Sequence, residues 1–143
     1  MFIIKLLQNA FSAKAISFKF VDDKCVFTLK EEGNADIIIT NGMNYWIREG
    51  NIKPFPHSLF SLRKIDFDSI VAASTTLQNE NTLLLTWRFI ETMHGDTLTC
   101  VFDGDKLKIS FLFIVARLQK KPDDRVDITG SKIHQKLNLL RFP

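Results

Sequence analysis

Residues 82–114 read TLLLTWRFIETMHGDTLTCVFDGDKLKISFLFI, and this stretch decides the fold. Leu83, Leu85, Trp87 and Phe89 fall on one side of an extended chain, with Leu84, Thr86, Arg88 and Ile90 on the other. Successive side chains of a strand point to opposite faces, so this period of two predicts a strand over Thr82–Thr92. His94-Gly95-Asp96 reads as a turn into Thr97–Phe102, which alternates again. Asp103-Gly104-Asp105 is a hairpin turn, since Gly104 can take the positive φ that such turns demand. Lys106–Ile114 returns with Leu107, Ile109, Phe111 and Phe113 aligned on one face. Connections this short join antiparallel strands, because a parallel crossover needs a dozen or more residues.

The same chemistry extends outward. Asp68–Leu77 forms a strand before the turn Gln78–Asn81, carrying the β-branched pair Ile70 and Val71. Nearer the start, Ala15–Phe20 sets Ile16, Phe18 and Phe20 on one face, and Asp22-Asp23-Lys24 turns it into Cys25–Lys30. Glu31–Asn34 turns again into Asp36–Thr40, and Asn41-Gly42 leads to a strand at Tyr45–Arg48. Residues 49–64 break the pattern through Gly50, Pro54 and Pro56, which suits an irregular loop capping one end of a barrel. Val115 onward is less regular, and Ile133–Leu140 is compatible with a short helix or strand. Eight or nine strands at intervals of ~8–12 residues predict an all-β, antiparallel meander that forms a barrel or a strongly curved sheet, lipocalin-like in outline. Closure removes the exposed edges that such a sheet leaves. The expected organisation is one domain over residues 1–130 and a tail over residues 131–143.

Composition narrows the function. A chain of 143 residues with 13 Phe and a hydrophobic fraction of 45% has ample bulk to line a core or a cavity. The net charge is +3, but the basic residues are scattered, and Lys120-Lys121 runs directly into Pro122-Asp123-Asp124. A nucleic-acid reader clusters its Lys and Arg, so no nucleic-acid partner is expected. No stretch approaches the ~20 apolar residues of a membrane-spanning helix. Phe2–Leu7 followed by Ala13-Lys14-Ala15 loosely imitates a signal peptide, yet Lys5, Gln8 and Asn9 interrupt the apolar run and no basic region precedes it. Cys25 and Cys100 form no metal motif and sit at inward-facing strand positions, where a packed thiol is the first expectation; an export-dependent disulfide stays open.

Candidate chemistry is sparse. Ser61 and Lys64 match the S-x-x-K nucleophile spacing, but the partner tripeptides S-D-N and K-T-G do not occur. Glu91, His94 and Asp96 gather near one turn with Arg88 close by, a set that suits a metal or an acid–base pair, although an ordinary polar turn explains it as well. Trp46 and Trp87 are candidate stacking surfaces for a ligand, against the simpler role of core anchors. Asp103-Gly104-Asp105 lacks the further carboxylates of a calcium loop. The candidate ligand or interface residues are therefore Trp46, Trp87, Arg88, Glu91 and His94, with no catalytic set, no metal site and no cofactor expected.

Several segments together carry a family likeness. They are Lys14–Phe20, Gly42–Gly50 around Trp46, Ile70–Ser74, Thr86-Trp87-Arg88-Phe89-Ile90-Glu91-Thr92, and Asp96–Leu107 with its Phe102-Asp103-Gly104-Asp105 turn. The chain resembles, over residues 2–130, the C-terminal β-rich domain of bacterial serine hydrolases related to β-lactamases and penicillin-binding proteins. Met93 stands where that family usually has Pro before the His, and Thr76-Leu77 replaces its small residue and Trp. The resemblance implies a non-catalytic accessory domain that docks on a serine hydrolase domain, in the periplasm or outside the cell. The oligomeric state is left open. The rival expectation, drawn from the meander and the Phe content, is a lipocalin-like carrier of a small hydrophobic ligand. An enzyme built on Glu91, His94 and Asp96 ranks last.

Overall fold

The computed structural model describes residues 2–7, 13–31, 33, 35–52, 69–90, 95–121 and 127–133. Ten strands and one short helix follow in order: β1 (Phe2–Leu6), β2 (Ala13–Val21), β3 (Lys24–Glu31), β4 (Ile37–Met43), β5 (Ile47–Ile52), β6 (Ser69–Asn79), β7 (Thr82–Phe89), β8 (Gly95–Asp103), β9 (Lys106–Phe113), α1 (Ile114–Leu118) and β10 (Ile128–Lys132). The all-β, lipocalin-like barrel expected from the alternation is what forms.

Hydrogen bonds run through the order β4-β3-β2-β1-β10-β9-β8-β7-β6, and β6 then pairs back to β4. The ring that closes has nine strands. An odd ring of alternating strands must contain one parallel pair, and that pair is Gly42↔Ser74 with Met43↔Thr75. The tenth strand, β5, pairs antiparallel with the same edge of β6, from Ile47↔Ala73 to Ile52↔Ser69. It therefore wedges between β4 and β6 below their two-residue contact. Among the described residues no backbone ladder joins β5 to β4; instead the Thr40 amide donates to Glu49 Oε1 at 2.7 Å.

Side chains on the inner face fill one core. It runs from Ile4 and Leu6 through Phe18, Phe27, Leu29 and Ile39 to Leu85, Trp87, Phe89, Cys100 and Ile109. Gly130 lies where β10 passes β1; a Cβ there would stand 2.6 Å from Ile4 Cγ2 and 2.8 Å from the Lys5 carbonyl oxygen. Any larger residue would push the closing strand away.

Several boundaries differ from expectation for physical reasons. Phe2–Leu6 is a strand, though the consecutive apolar residues Phe2, Ile3 and Ile4 show no alternation in sequence. Ile128–Lys132 is the strand that closes the ring against β1 and β9, so ordered structure runs two residues past the boundary expected at 130. Asn41-Gly42 belongs to β4; the turn falls at residues 44–46, with Asn44 at φ 67°. Gly95-Asp96 opens β8 instead of forming a turn. Where an irregular segment is expected from residue 49, β5 continues to Ile52; residues 53–68 lie outside the described residues. Ser61, Lys64 and the segment 134–140 lie outside the described residues.

Candidate functional site

The two ends of the barrel are built differently. The hairpin tips at residues 22–23, 44–46, 80–81 and 104–105 all lie at one end, where β1 begins and β10 finishes. Backbone bonds stitch these tips together: Met43 N–H to the Asp23 carbonyl at 2.8 Å, Asn44 N–H to Thr75 at 2.8 Å, Phe102 N–H to Asn81 at 2.8 Å, and Lys132 N–H to Asp105 at 2.7 Å. The Tyr45 hydroxyl donates to Asp23 Oδ1 at 3.0 Å, and Thr76 Oγ1 to Asn44 Oδ1 at 2.9 Å. This end is sealed. The strand ends at Leu6, Ala13, Glu31, Ile37, Ile52, Ser69, Phe89 and Gly95 lie at the opposite end, the mouth.

Rings cross the bore toward the sealed end. Phe18 on β2 meets Phe102 on β8 with centroids 5.7 Å apart, and Phe27 on β3 meets Trp87 on β7 edge-to-face at 5.0 Å. Strands on opposite sides of the ring thus touch through their side chains, and water reaches none of Phe18, Phe27 or Trp87. Trp87 also donates its indole N–H to Asn41 Oδ1 at 2.8 Å, while Asn41 Nδ2 donates to the carbonyls of Cys25 and Ile39, both at 3.1 Å. A buried indole N–H needs such a partner.

Toward the mouth several inward side chains keep a slight exposure. Leu6, Ile37 and Phe111 are each 7% exposed and Ala13 is 5% exposed, while Leu29, the register partner of Ile37, is fully buried. The inward carboxylates also belong to this half: Glu31 opposite Ala13, Glu49 opposite Val71, and Asp96 between Trp87 and Phe113. This half of the bore is thus lined by apolar side chains with three inward carboxylates among them, above the ring contacts.

The sequence candidates fall in separate places. Trp87 is a core anchor. Trp46 sits in the turn at the sealed end, 52% exposed and on the far side of the ring contacts. Arg88 lies half-buried on the outer face, its Nη1 donating to the Trp87 carbonyl at 3.1 Å. Partial burial lowers its pKa and the nearby Arg117 lowers it further, while Asp96 pulls the other way. Glu91 and His94 lie outside the described residues, as do His57 and His134, so the trio of Glu91, His94 and Asp96 is represented by Asp96 alone. That aspartate is 1% exposed inside the barrel rather than solvated in a turn. Among the described residues no group of three or more His, Cys, Asp and Glu is placed to hold a metal ion, and no helix is long and apolar enough to cross a membrane.

Cys25 and Cys100 are both free and buried. Burial pushes the Cys25 thiol up to about 12. It raises Cys100 too, with the charge of Cys25 adding to the effect.

No protein-family model matches the chain, and no curated protein matches it in sequence. Solved structures do match in fold. One is secretory abundant heat soluble protein 4 from Ramazzottius varieornatus, at a TM-score of 0.53 and 13% identity, covering 84% of this chain and 69% of that one. Another is the fatty-acid-binding protein isolated from Manduca sexta, at a TM-score of 0.53 and 12% identity, covering 92% of this chain and 96% of that one. At such identities the likeness establishes the barrel fold and nothing finer.

The residues that sequence reasoning missed are Asn41, Glu31 and Glu49. Asn41 and Glu31 sat in segments whose Gly, Asn and Asp content read as turns. The available signal was phase: Glu31 continues the inward set Cys25, Phe27, Leu29, and Asn41 continues Ile37, Ile39.

Proposed function

We propose that this barrel binds a small hydrophobic ligand in a cup at its mouth. The observation that carries the reading is that ring contacts across the bore fill the half nearer the hairpin tips, while Leu6, Ile37 and Phe111 in the other half keep a slight exposure. A barrel of this size either fills with side chains or holds one small ligand. Here the sealed half is filled, which confines a ligand to the mouth. The fold-neighbour from Manduca sexta is a fatty-acid-binding protein, which supports a ligand of the same apolar character. The head group differs. Glu31, Glu49 and Asp96 face inward in this half, and their negative charge would oppose that of a carboxylate ligand set beside them. A neutral or cationic head therefore suits the cup better than a fatty-acid anion.

Titration with the neutral fluorophore Nile red tests this. One saturable site is expected, displaced by dodecanol more readily than by dodecanoate. Ala13→Trp, which fills the rim, should abolish binding while leaving the circular dichroism spectrum unchanged. Trp46→Asp, at the sealed end, should leave it intact. Leu6→Ala widens the rim and serves where the tryptophan cannot be accommodated; it should change affinity at least several-fold. Non-saturable fluorescence, or binding insensitive to both rim variants, would sink the proposal.

The resemblance to hydrolase-fused domains supports a second reading, in which the barrel docks on a hydrolase domain through an apolar outer sheet face. Ile38, 50% exposed at the centre of β4, is the large apolar side chain available for this at mid-strand among the described residues. The cup is the better supported site.

A further inference from the structure

Exposed apolar side chains gather at the sealed end. Seven of the eleven large exposed hydrophobics among the described residues lie there: Phe2, Phe20, Val21, Tyr45, Trp46, Leu77 and Ile133. They are neighbours. The rings of Phe2 and Phe20 stand 6.1 Å apart, and the Ile133 amide bonds to the Ile3 carbonyl beside them at 2.8 Å. Val21 leads into the 22–23 turn, which the Tyr45 hydroxyl grips through Asp23 at 3.0 Å. Trp46 follows Tyr45, and Thr76, next to Leu77, bonds to Asn44 in the same turn. The result is one arc around the end of the barrel.

Its size and charge say what fits it. Side chains that bury ~150–250 Å² when fully covered, exposed here by two-fifths to three-fifths, offer roughly 600 Å² of apolar area. A specific interface takes about 800 Å² from each partner, so the arc with its polar fringe is of the right order. The fringe carries both signs at two of the four hairpin tips: Asp22 and Asp23 beside Lys24, and Asp103 and Asp105 beside Lys106. Lys132 Nζ sits 4.2 Å over the Phe2 ring, keeping a cation within the patch. A surface with both signs so close together is able to meet itself across a two-fold axis, lysine against aspartate, and two-fold dimers are the commonest assemblies. A wholly basic partner would leave the three lysines of the fringe opposed, and a wholly acidic one its carboxylates.

We propose that the sealed end is the interface of an end-to-end dimer of this chain, leaving the two mouths facing outward. Counting Glu80, the fringe has five carboxylates against three lysines, so two ends brought together retain a mild repulsion. Salt screens that repulsion. Raising the ionic strength should therefore tighten the dimer, the reverse of an interface held chiefly by ion pairs.

Sedimentation equilibrium on the full chain tests this. The wild type should reach twice the chain mass of 16.5 kDa at tens of micromolar, with tighter association at high salt. Phe20→Asp combined with Trp46→Asp should give the mass of one chain with an unchanged circular dichroism spectrum, and both positions are solvent-exposed enough to accept the change. Leu118→Asp, 73% exposed at the opposite end, should leave the dimer intact. A wild type that stays monomeric at the highest attainable concentration overturns the proposal. So does a dimer that survives the double variant, dissolves with Leu118→Asp, or loosens with salt. A monomer that co-sediments with phosphatidylcholine vesicles would assign the arc to lipid instead.

Discussion

Cys25 and Cys100 show how position decides chemistry at the level of single residues. Each is 0% exposed on the inner face, packed among Phe27, Leu83, Leu98 and Ile109. A thiolate there would lack solvation, so both groups stay protonated where an ordinary thiol, near 9.0, ionises. The sign follows directly. Below pH 9 folded and unfolded chains hold the same thiol protons; above it the unfolded chain loses them first. Stability should therefore be flat up to about pH 9 and fall as pH rises toward 12, as read by urea midpoints across that range. Cys25→Val with Cys100→Val should flatten the decline. Native thiols should also resist alkylation until the barrel unfolds, since the thiolate is the reactive form. Burial of these cysteines was legible in the sequence, because each continues an alternating apolar set. The role of Asn41 was not. A local reading of Asn-Gly as a turn loses to a tertiary demand, the indole N–H of Trp87, that lies 46 residues away.

At the scale of elements, the place to look is the junction of β4 and β5. Elsewhere in the ring neighbouring strands share backbone ladders, but here the Glu49 carboxylate accepts the Thr40 amide. A hydrogen bond to a charged group contributes about 1.5–3 kcal/mol. Glu49→Ala should thus speed hydrogen exchange at the Thr40 amide by roughly tenfold or more, while amides in the continuous β2–β3 pair change little. Equal protection in the variant would show that other contacts hold the junction. Elements with long clean alternation, β2, β3, β7, β8 and β9, were legible in the sequence. Those that escaped or blurred were β1, β5 and β10, each five or six residues long. Five residues are too few to display a period of two once a glycine such as Gly50 or Gly130 interrupts them.

For the whole molecule, the missed strands matter most. The strongly patterned ones build a curved sheet, while β1 and β10, pairing Ile4↔Lys132 and Leu6↔Gly130, turn that sheet into a barrel. Alternation within a strand carries no information about which distant strand lies beside it, and so closure was expected on general grounds while its agents were not identified. The cup was legible only as an excess of Phe, because its rim is assembled from β1, β2, β4 and β9 together. Removing residues 122–143 should leave β1 and β9 with unpaired edges. Such a truncated chain is expected to lose its cooperative urea transition and to associate, seen as a broad unfolding curve and rising light scattering.

The pairing of β1 with β10 also sets the timing of the molecule's birth. Phe2–Leu6 leaves the ribosome among the first segments of this chain, and its permanent neighbour Ile128–Lys132 follows more than a hundred residues later. At synthesis rates of about 5–20 residues per second, the first strand waits several seconds or longer with an open edge. An edge left open for that interval invites wrong pairing, so a chaperone that covers it during synthesis should raise the yield of native barrel.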